Sequence, residues 1–203
     1  MQFQRIDAIT IRRHYNLTSS DVCLYLGDCP IPLDFRASPI SNLIANFKKQ
    51  PSKKDTPAWR YKEQAIETIA THLANDLGAD LVKSLTWVPV PPSKTKNHPE
   101  YDDRLMAVLE ALSKMVGGLD IREMVSQIKD MEAVHVSGAL RKPKALYDVY
   151  TLDKSLVEPR PEAIAIFDDL LTSGCHFKAM EMKIKDHFPD ATCIGIFVGR
   201  STR

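Results

Sequence analysis

Residues 163–174 read AIAIFDDLLTSG, and this stretch decides the fold. The continuous apolar run Ala163–Phe167 has the length of a buried strand. A helix is predicted over Gly174–Phe188, and a second apolar run, Cys193–Val198, follows it directly. A strand, a helix and a strand in close succession form a βαβ unit, whose strands are parallel and whose helix covers the sheet. The sequence therefore predicts an α/β protein with a mainly parallel central sheet and flanking helices.

The same stretch carries the residues with the clearest chemistry. Asp168 and Asp169 follow the apolar run, at the strand end where open α/β sheets bind their ligands. Thr172, Ser173 and Gly174 then lead into the helix, whose free N–H groups and positive dipole end suit a phosphate. Carboxylates can accept hydrogen bonds from hydroxyl groups or hold a hydrated metal. The order of the two features indicates a sugar phosphate as ligand.

The rest of the chain predicts the elements around this unit. Two short apolar stretches, Ile6–Ile11 and Asp21–Gly27, are typical of a β-ribbon. Helices are predicted over Asp34–Lys49, Arg60–Leu77, Tyr101–Val116 and Ile121–Ile128, and a buried strand over Ser84–Val90. Glu132–Lys144 has no periodicity, which predicts a long mobile loop of the kind that is functional or disordered in compact domains.

Composition narrows the class of protein. The chain has 203 residues, which suits one domain or one domain with a small appendage. The 27 basic and 26 acidic residues argue against nucleic-acid binding by bulk charge, although a local basic patch stays open. No stretch approaches the roughly 20 apolar residues of a membrane helix, and no signal-peptide pattern is present, so a cytoplasmic location is expected. The four cysteines form no CxxC pair, which indicates reduced thiols and no zinc ribbon.

The pattern of apolar strand, paired acids, two apolar residues and Thr-Ser-Gly resembles the phosphoribosyl pyrophosphate (PRPP) motif of type I phosphoribosyltransferases. The resemblance implies that Asp168 and Asp169 bind the ribose hydroxyls and that the following loop binds the 5′-phosphate. The phosphate-binding residues that it implies are Leu171 (through its backbone), Thr172, Ser173, Gly174, Cys175 and His176. His176 stands where the family often has Thr or Ser, and a histidine can still donate to phosphate.

Three further segments resemble the ComF branch of that family, in the same order along the chain. Residues 41–49 resemble its leading apolar helix followed by lysine, and Trp87–Lys94 resembles its Val-Pro-Val-Pro strand and pyrophosphate loop. Residues 137–144 resemble the basic loop that covers PRPP. The resemblance spans about residues 40–200 and implies pyrophosphate contacts from Pro92, Ser93, Lys94, Lys96, Arg141 and Lys144. The branch's zinc ribbon is missing, so residues 1–36 are expected to form a β-ribbon hood on a phosphoribosyltransferase-like domain of residues 37–203.

The expected function is transfer of the 5-phosphoribosyl group from PRPP to an unidentified acceptor, with release of pyrophosphate. Asp168, Asp169, Arg141 and Lys144 are the expected catalytic residues, acting through electrostatic stabilisation. Mg²⁺ is expected to be carried by PRPP, with no direct protein ligand and at most water bridges to the two aspartates. A homodimer stays open, and Arg104 is interpreted as a surface charge. Two alternatives also stay open: a non-catalytic module that binds PRPP or a nucleotide, and a ComF-like role with nucleic acid.

Overall fold

The structure is a computed structural model that describes residues 1–128 and 142–202. These residues contain nine strands and six α-helices. In chain order they are β1 Gln4–Arg5, β2 Val22–Tyr25, β3 Asp28–Pro30, α1 Pro39–Phe47, α2 Arg60–Leu77, α3 Ala79–Ser84, β4 Thr86–Pro89, α4 Arg104–Val116, β5 Asp120–Ile121, β6 Val125–Gln127, α5 Pro143–Tyr147, β7 Tyr150–Leu152, β8 Ala163–Leu171, α6 Cys175–Lys185 and β9 Thr192–Thr202.

A mostly parallel sheet forms the centre of the molecule. Its strand order is β1, β2, β9, β8, β4, β5, and β3 pairs with the second half of β9. All of these pairs are parallel except β1 with β2. The residues from Ile164 to Phe167 in β8 are fully buried, because the sheet is covered by helices. The predicted α/β architecture with flanking helices is confirmed.

The β8–α6–β9 unit is also confirmed, with one difference at the end of β8. Pairing with β9 continues past the acids, since Asp168 lies opposite Phe197 and Leu171 lies opposite Arg200. The prediction that the strand ends at Phe167 is therefore wrong by four residues. β9 is long enough to pair with β8 as far as Leu171. The two carboxylates therefore project from the last residues of the strand and not from a loop.

The N-terminal residues build one side of the sheet. The predicted strand Ile6–Ile11 is wrong: the strand that pairs with β2 is Gln4–Arg5, one further hydrogen bond runs from the Ile6 N–H to the Cys23 carbonyl, and Thr10–Arg13 form a 3₁₀ turn. β2 and β3 lie parallel to β9, so residues from the segment expected to be a hood extend the central sheet. β2 and β3 pair with β9, at the far end of the chain, and such long-range pairing cannot be predicted from the local sequence pattern.

The other predicted elements differ mainly at their boundaries. The helices predicted over Asp34–Lys49, Arg60–Leu77 and Tyr101–Val116 are confirmed as α1, α2 and α4, and the strand Ser84–Val90 as β4. The helix predicted over Ile121–Ile128 is wrong, because this segment forms β5 and β6. The predicted loop Glu132–Lys144 falls mostly on residues 129–141, which lie outside the described residues.

Within residues 1–128 and 142–202, the helices are all too short or too polar to cross a membrane. Cys23, Cys29, Cys175 and Cys193 are buried free thiols.

A close approach at Gly195 sets the packing of β9 against α6. A Cβ added at Gly195 would lie 2.7 Å from the Phe197 ring, 2.9 Å from Cys23 Sγ and 3.0 Å from the Phe177 ring. Gly195→Ala is therefore expected to overpack the core and lower the free energy of unfolding by about 1–3 kcal/mol. Urea unfolding measures the effect. The matched control is Gly27→Ala, where the nearest atoms would lie at an ordinary 3.4 Å; equal stability of the two variants would contradict this packing.

Candidate functional site

A cavity of about 230 Å³ lies at the carboxyl edge of the sheet, where β4 and β8 end. Its lining includes Lys48, Ser93, Arg104, Asp168, Asp169 and His176. These residues come from the end of α1, the loop after β4, the start of α4, the end of β8 and the start of α6. The carboxyl edge of a parallel sheet is the usual position of a ligand site in this class of fold.

Asp169 is buried and is neutralised by two cations. Lys48 Nζ lies 2.8 Å from Asp169 Oδ1. Arg104 places Nη2 2.5 Å and Nε 3.1 Å from Asp169 Oδ2. Burial alone would raise the pKa of Asp169, but the charges and hydrogen bonds of Lys48 and Arg104 outweigh it and lower the pKa below its ordinary value. Asp169 is therefore an ionised, fully paired carboxylate.

Arg104 continues this ion pair into a chain of alternating charges. Its Nη1 donates to Asp102 Oδ2 at 2.8 Å, and Lys62 Nζ donates to Asp102 Oδ1 at 2.6 Å and to the Lys49 carbonyl at 2.7 Å. Lys62 is almost completely buried. The chain Lys48–Asp169–Arg104–Asp102–Lys62 ties α1, α2 and α4 to the end of β8.

The interpretation of Arg104 as a surface charge is wrong. Arg104 is the first residue of α4, and its side chain is only 23% exposed. A cation at a helix N-terminus opposes the helix dipole, so it needs carboxylate partners to be stable there. That conflict was visible in the sequence and could have identified Arg104 as a site residue.

Asp168 is in a different electrostatic position from its neighbour. Its Oδ1 accepts a hydrogen bond from the Asp169 backbone N–H at 2.8 Å. Among the residues that the structure describes, no lysine or arginine forms an ion pair with it. Burial and the adjacent charge of Asp169 raise the pKa of Asp168 above its ordinary value. Asp168 is therefore the carboxyl group whose ionised form a ligand can stabilise.

The loop Thr172–Gly174 connects the acids to α6. Gly174 has φ +82°, and a Cβ there would lie 2.7 Å from Leu17 Cδ2, so both backbone and space require glycine. Leu171 and Cys175 are buried, which leaves them only backbone atoms to offer a ligand. The carbonyls of Thr172 and Ser173 accept hydrogen bonds from His14 Nδ1 and from the Asn16 backbone N–H. No sequence pattern pointed to His14 or Asn16 as partners of this loop.

His176 lines the cavity from the first turn of α6 and is held by Tyr150. The Tyr150 hydroxyl lies 2.9 Å from His176 Nδ1. Tyr150 is buried, and its burial together with the charge of Asp168 raises the pKa of its hydroxyl. The phenol therefore stays protonated, and it fixes the position of the His176 ring beside the acids.

The residues expected to bind pyrophosphate lie around two adjacent cavities. Pro92 and Ser93 line the cavity of the acids. Lys94 and Lys96 line a second cavity of about 370 Å³, which shares Pro92 as part of a common wall. Lys96 Nζ lies 2.7 Å from Glu123 Oε2.

Lys144 lies away from the acids. Its exposed Nζ pairs with Asp148 Oδ1 at 2.6 Å. Together with Asp21 and Thr192 it lines a third cavity, at the amino ends of β2 and β9 and so at the opposite edge of the sheet. The structure therefore does not bring Lys144 to Asp168 and Asp169. Arg141 lies outside the described residues.

The acid pair offers little to hold a metal ion by itself. Over residues 1–128 and 142–202, no group of three or more His, Cys, Asp or Glu side chains is arranged to hold one. Asp169 is already neutralised, which leaves the carboxyl of Asp168. A Mg²⁺ ion at this edge would take most of its ligands from a bound phosphate compound and from water, as Mg²⁺ commonly does.

Comparisons with known proteins do not assign the chain to a family. No protein-family model matches it, and no curated protein sequence matches it.

The different surroundings of the two acids predict opposite effects of substitution. Asp169→Asn leaves Lys48 and Arg104 without their shared carboxylate and is expected to lower the free energy of unfolding by about 1–3 kcal/mol at pH 7. Asp168→Asn removes a carboxyl whose ionised form is disfavoured in the folded state, so stability at pH 8 is expected to be equal or greater. Denaturant unfolding of both variants and the wild type measures these differences.

The pH dependence of the free energy of unfolding provides a control for the Asp168→Asn prediction. A raised pKa means that ionised Asp168 weakens the fold as the pH rises above the ordinary aspartate range. The advantage of Asp168→Asn over the wild type should therefore grow from pH 4 to pH 8. Equal losses of stability in both variants, independent of pH, would contradict the assignment.

Proposed function

We propose that the protein binds PRPP in a type I phosphoribosyltransferase-like fold and transfers its 5-phosphoribosyl group to an acceptor, releasing pyrophosphate. The observation that carries this proposal is that one cavity is lined by Asp168, by Thr172 at the start of the loop, and by His176 in the first turn of α6. A carboxylate and a helix-capping loop a few residues apart match a ligand with vicinal hydroxyls at one end and a phosphate at the other.

In this proposal Asp168 accepts hydrogen bonds from the ribose 2′- and 3′-hydroxyls. Such bonds favour the ionised form of a carboxyl group, so binding lowers the raised pKa of Asp168. Asp169 stays paired with Lys48 and Arg104 and keeps the end of β8 in place. The ionised carboxylate of Asp168 favours the positive charge that develops on the ribose ring during transfer.

The phosphate groups take the two ends of the double cavity. The backbone N–H groups of the loop, the hydroxyls of Thr172 and Ser173, and the ring of His176 bind the 5′-phosphate. The diphosphate extends past Pro92 towards Lys94 and Lys96 in the larger cavity. In the reaction, the bond from C1′ to the diphosphate breaks with its electron pair on the leaving oxygen. The acceptor lone pair forms the new bond to C1′, and the acceptor proton passes to solvent.

Mg²⁺ bound to the diphosphate supplies charge neutralisation of the leaving group. The lysines of the loop after β4 add to that neutralisation from the protein side.

A second candidate function is a module that binds PRPP or a nucleotide without turnover. The position of Lys144 at the opposite edge of the sheet favours it, because one expected catalytic cation is then absent from the site. The two functions share the binding pocket and differ in whether pyrophosphate is released.

Calorimetric titration of PRPP with Mg²⁺ tests the pocket. The wild type is expected to bind, and Asp168→Asn is expected to bind at least about tenfold more weakly, because it replaces charge-assisted hydrogen bonds to the hydroxyls. Asp148→Asn is the matched control, since it removes an exposed acid at the other edge of the sheet. A wild type that melts cooperatively and does not bind PRPP would overturn the proposal. A screen of acceptors for pyrophosphate release then separates the enzyme from the binding module.

A further inference from the structure

The segment His14–Leu17 packs against the back of the phosphate loop. His14 Nδ1 donates to the Thr172 carbonyl, and the Asn16 backbone N–H donates to the Ser173 carbonyl at 3.0 Å. Leu17 fills the space beside Gly174, where a Cβ would otherwise sit. The N-terminal segment therefore contacts all three residues of the loop.

These contacts determine which way the loop N–H groups point. In a trans peptide the C=O and the N–H point to opposite sides of the chain. The Thr172 carbonyl shares a peptide with the Ser173 N–H, and the Ser173 carbonyl shares one with the Gly174 N–H. Because both carbonyls face the N-terminal segment, both N–H groups face away from it. Of the loop residues, the described lining of the cavity includes Thr172, and it includes no residue of the N-terminal segment, so the segment lies outside the cavity.

Two backbone hydrogen bonds hold His14 in place. Its N–H donates to the Ile11 carbonyl at 2.8 Å, and its carbonyl accepts from the Leu17 N–H at 2.7 Å. The ring is fully buried, and Nε2 has no hydrogen-bond partner among the described residues.

Burial lowers the pKa of His14, and the hydrogen bond to Thr172 opposes this shift. The charged groups that act on the ring are Arg13, Arg200 and Asp28; the two arginines lower the pKa and the aspartate raises it. The ring is therefore neutral near pH 7, and its single N–H is on Nδ1, where it is used by Thr172.

An unpaired buried acceptor such as Nε2 destabilises a folded protein. A leucine would fill the same space without that penalty. Packing therefore does not account for a histidine here, whereas the hydrogen bond from Nδ1 to the loop does.

We propose that His14 is a positioning residue: it holds the Thr172 carbonyl from behind and thereby directs the Ser173 N–H at a bound phosphate group. The inference rests on the proposed function to the extent that the loop Thr172–Gly174 is the phosphate site.

The test uses inorganic phosphate and ribose 5-phosphate as probes, with affinity and melting temperature measured on the same samples. His14→Leu is expected to bind both probes at least about tenfold more weakly, while its melting temperature is equal to or above that of the wild type. His14→Asn, whose side-chain amide can place an N–H near the position of Nδ1, is expected to recover most of the affinity. His72→Leu, which replaces a half-buried histidine of α2, is the matched control and should bind like the wild type.

Several outcomes would overturn the inference. Unchanged affinity in His14→Leu would do so, and so would a loss of affinity that accompanies a lower melting temperature and is not rescued by His14→Asn. A wild type that binds ribose 5-phosphate in a His14-dependent way but does not bind PRPP would support the inference and overturn the proposed function. A wild type that binds PRPP with no effect of His14 would do the reverse. A wild type that binds neither inorganic phosphate nor ribose 5-phosphate would overturn the inference, whereas the proposed function is decided by the titration of PRPP.

Discussion

The pairing of Asp169 with Lys48 and Arg104 is the interaction on which the candidate site depends. Two adjacent carboxylates at a buried strand end cannot both be ionised without cations close by. Lys48 follows α1 and Arg104 begins α4, so both helices must converge on the end of β8 for the sheet to keep this acid pair. Asp102 and Lys62 extend the same constraint to α2.

Because only Asp169 takes part in this pairing, the two acids have different electrostatic properties. Asp169 forms ion pairs that hold the fold together, whereas Asp168 has a raised pKa and, among the described residues, forms no ion pair with a lysine or arginine. When a ligand donates hydrogen bonds to Asp168, the free energy of that interaction therefore contributes to the affinity for the ligand. Behind the loop Thr172–Gly174, the segment His14–Leu17 donates hydrogen bonds to the carbonyls of Thr172 and Ser173. Asp168 and the loop Thr172–Gly174, the two groups proposed to bind the ligand, thus each have a neighbouring residue that holds them in place.

The sequence predicts those parts of the molecule whose pattern is local. The β8–α6–β9 unit, the acid pair and the loop lie within 40 residues, and their order alone places them at the carboxyl edge. The partners of β2, Asp169 and Thr172 are far along the chain, so their identity depends on tertiary packing that periodicity does not describe. Ile121, Val125 and Ile128 have helical spacing, yet this segment pairs as strands with β4 and β7. Lys144 was expected at the site from the order of segments, and the placement of α5 against the end of α6 puts it at the other edge.

A titration of the aspartate carboxyl carbons by ¹³C NMR tests the central claim most directly, namely that the pair is electrostatically divided and that Asp168 is the ligand group. The account predicts that Asp168 titrates well above the ordinary aspartate range and Asp169 below it. Addition of PRPP with Mg²⁺ should lower the pKa of Asp168 and leave Asp169 unchanged. Ordinary pKa values for both acids in the free protein, or an Asp168 titration that PRPP does not move, would contradict the account.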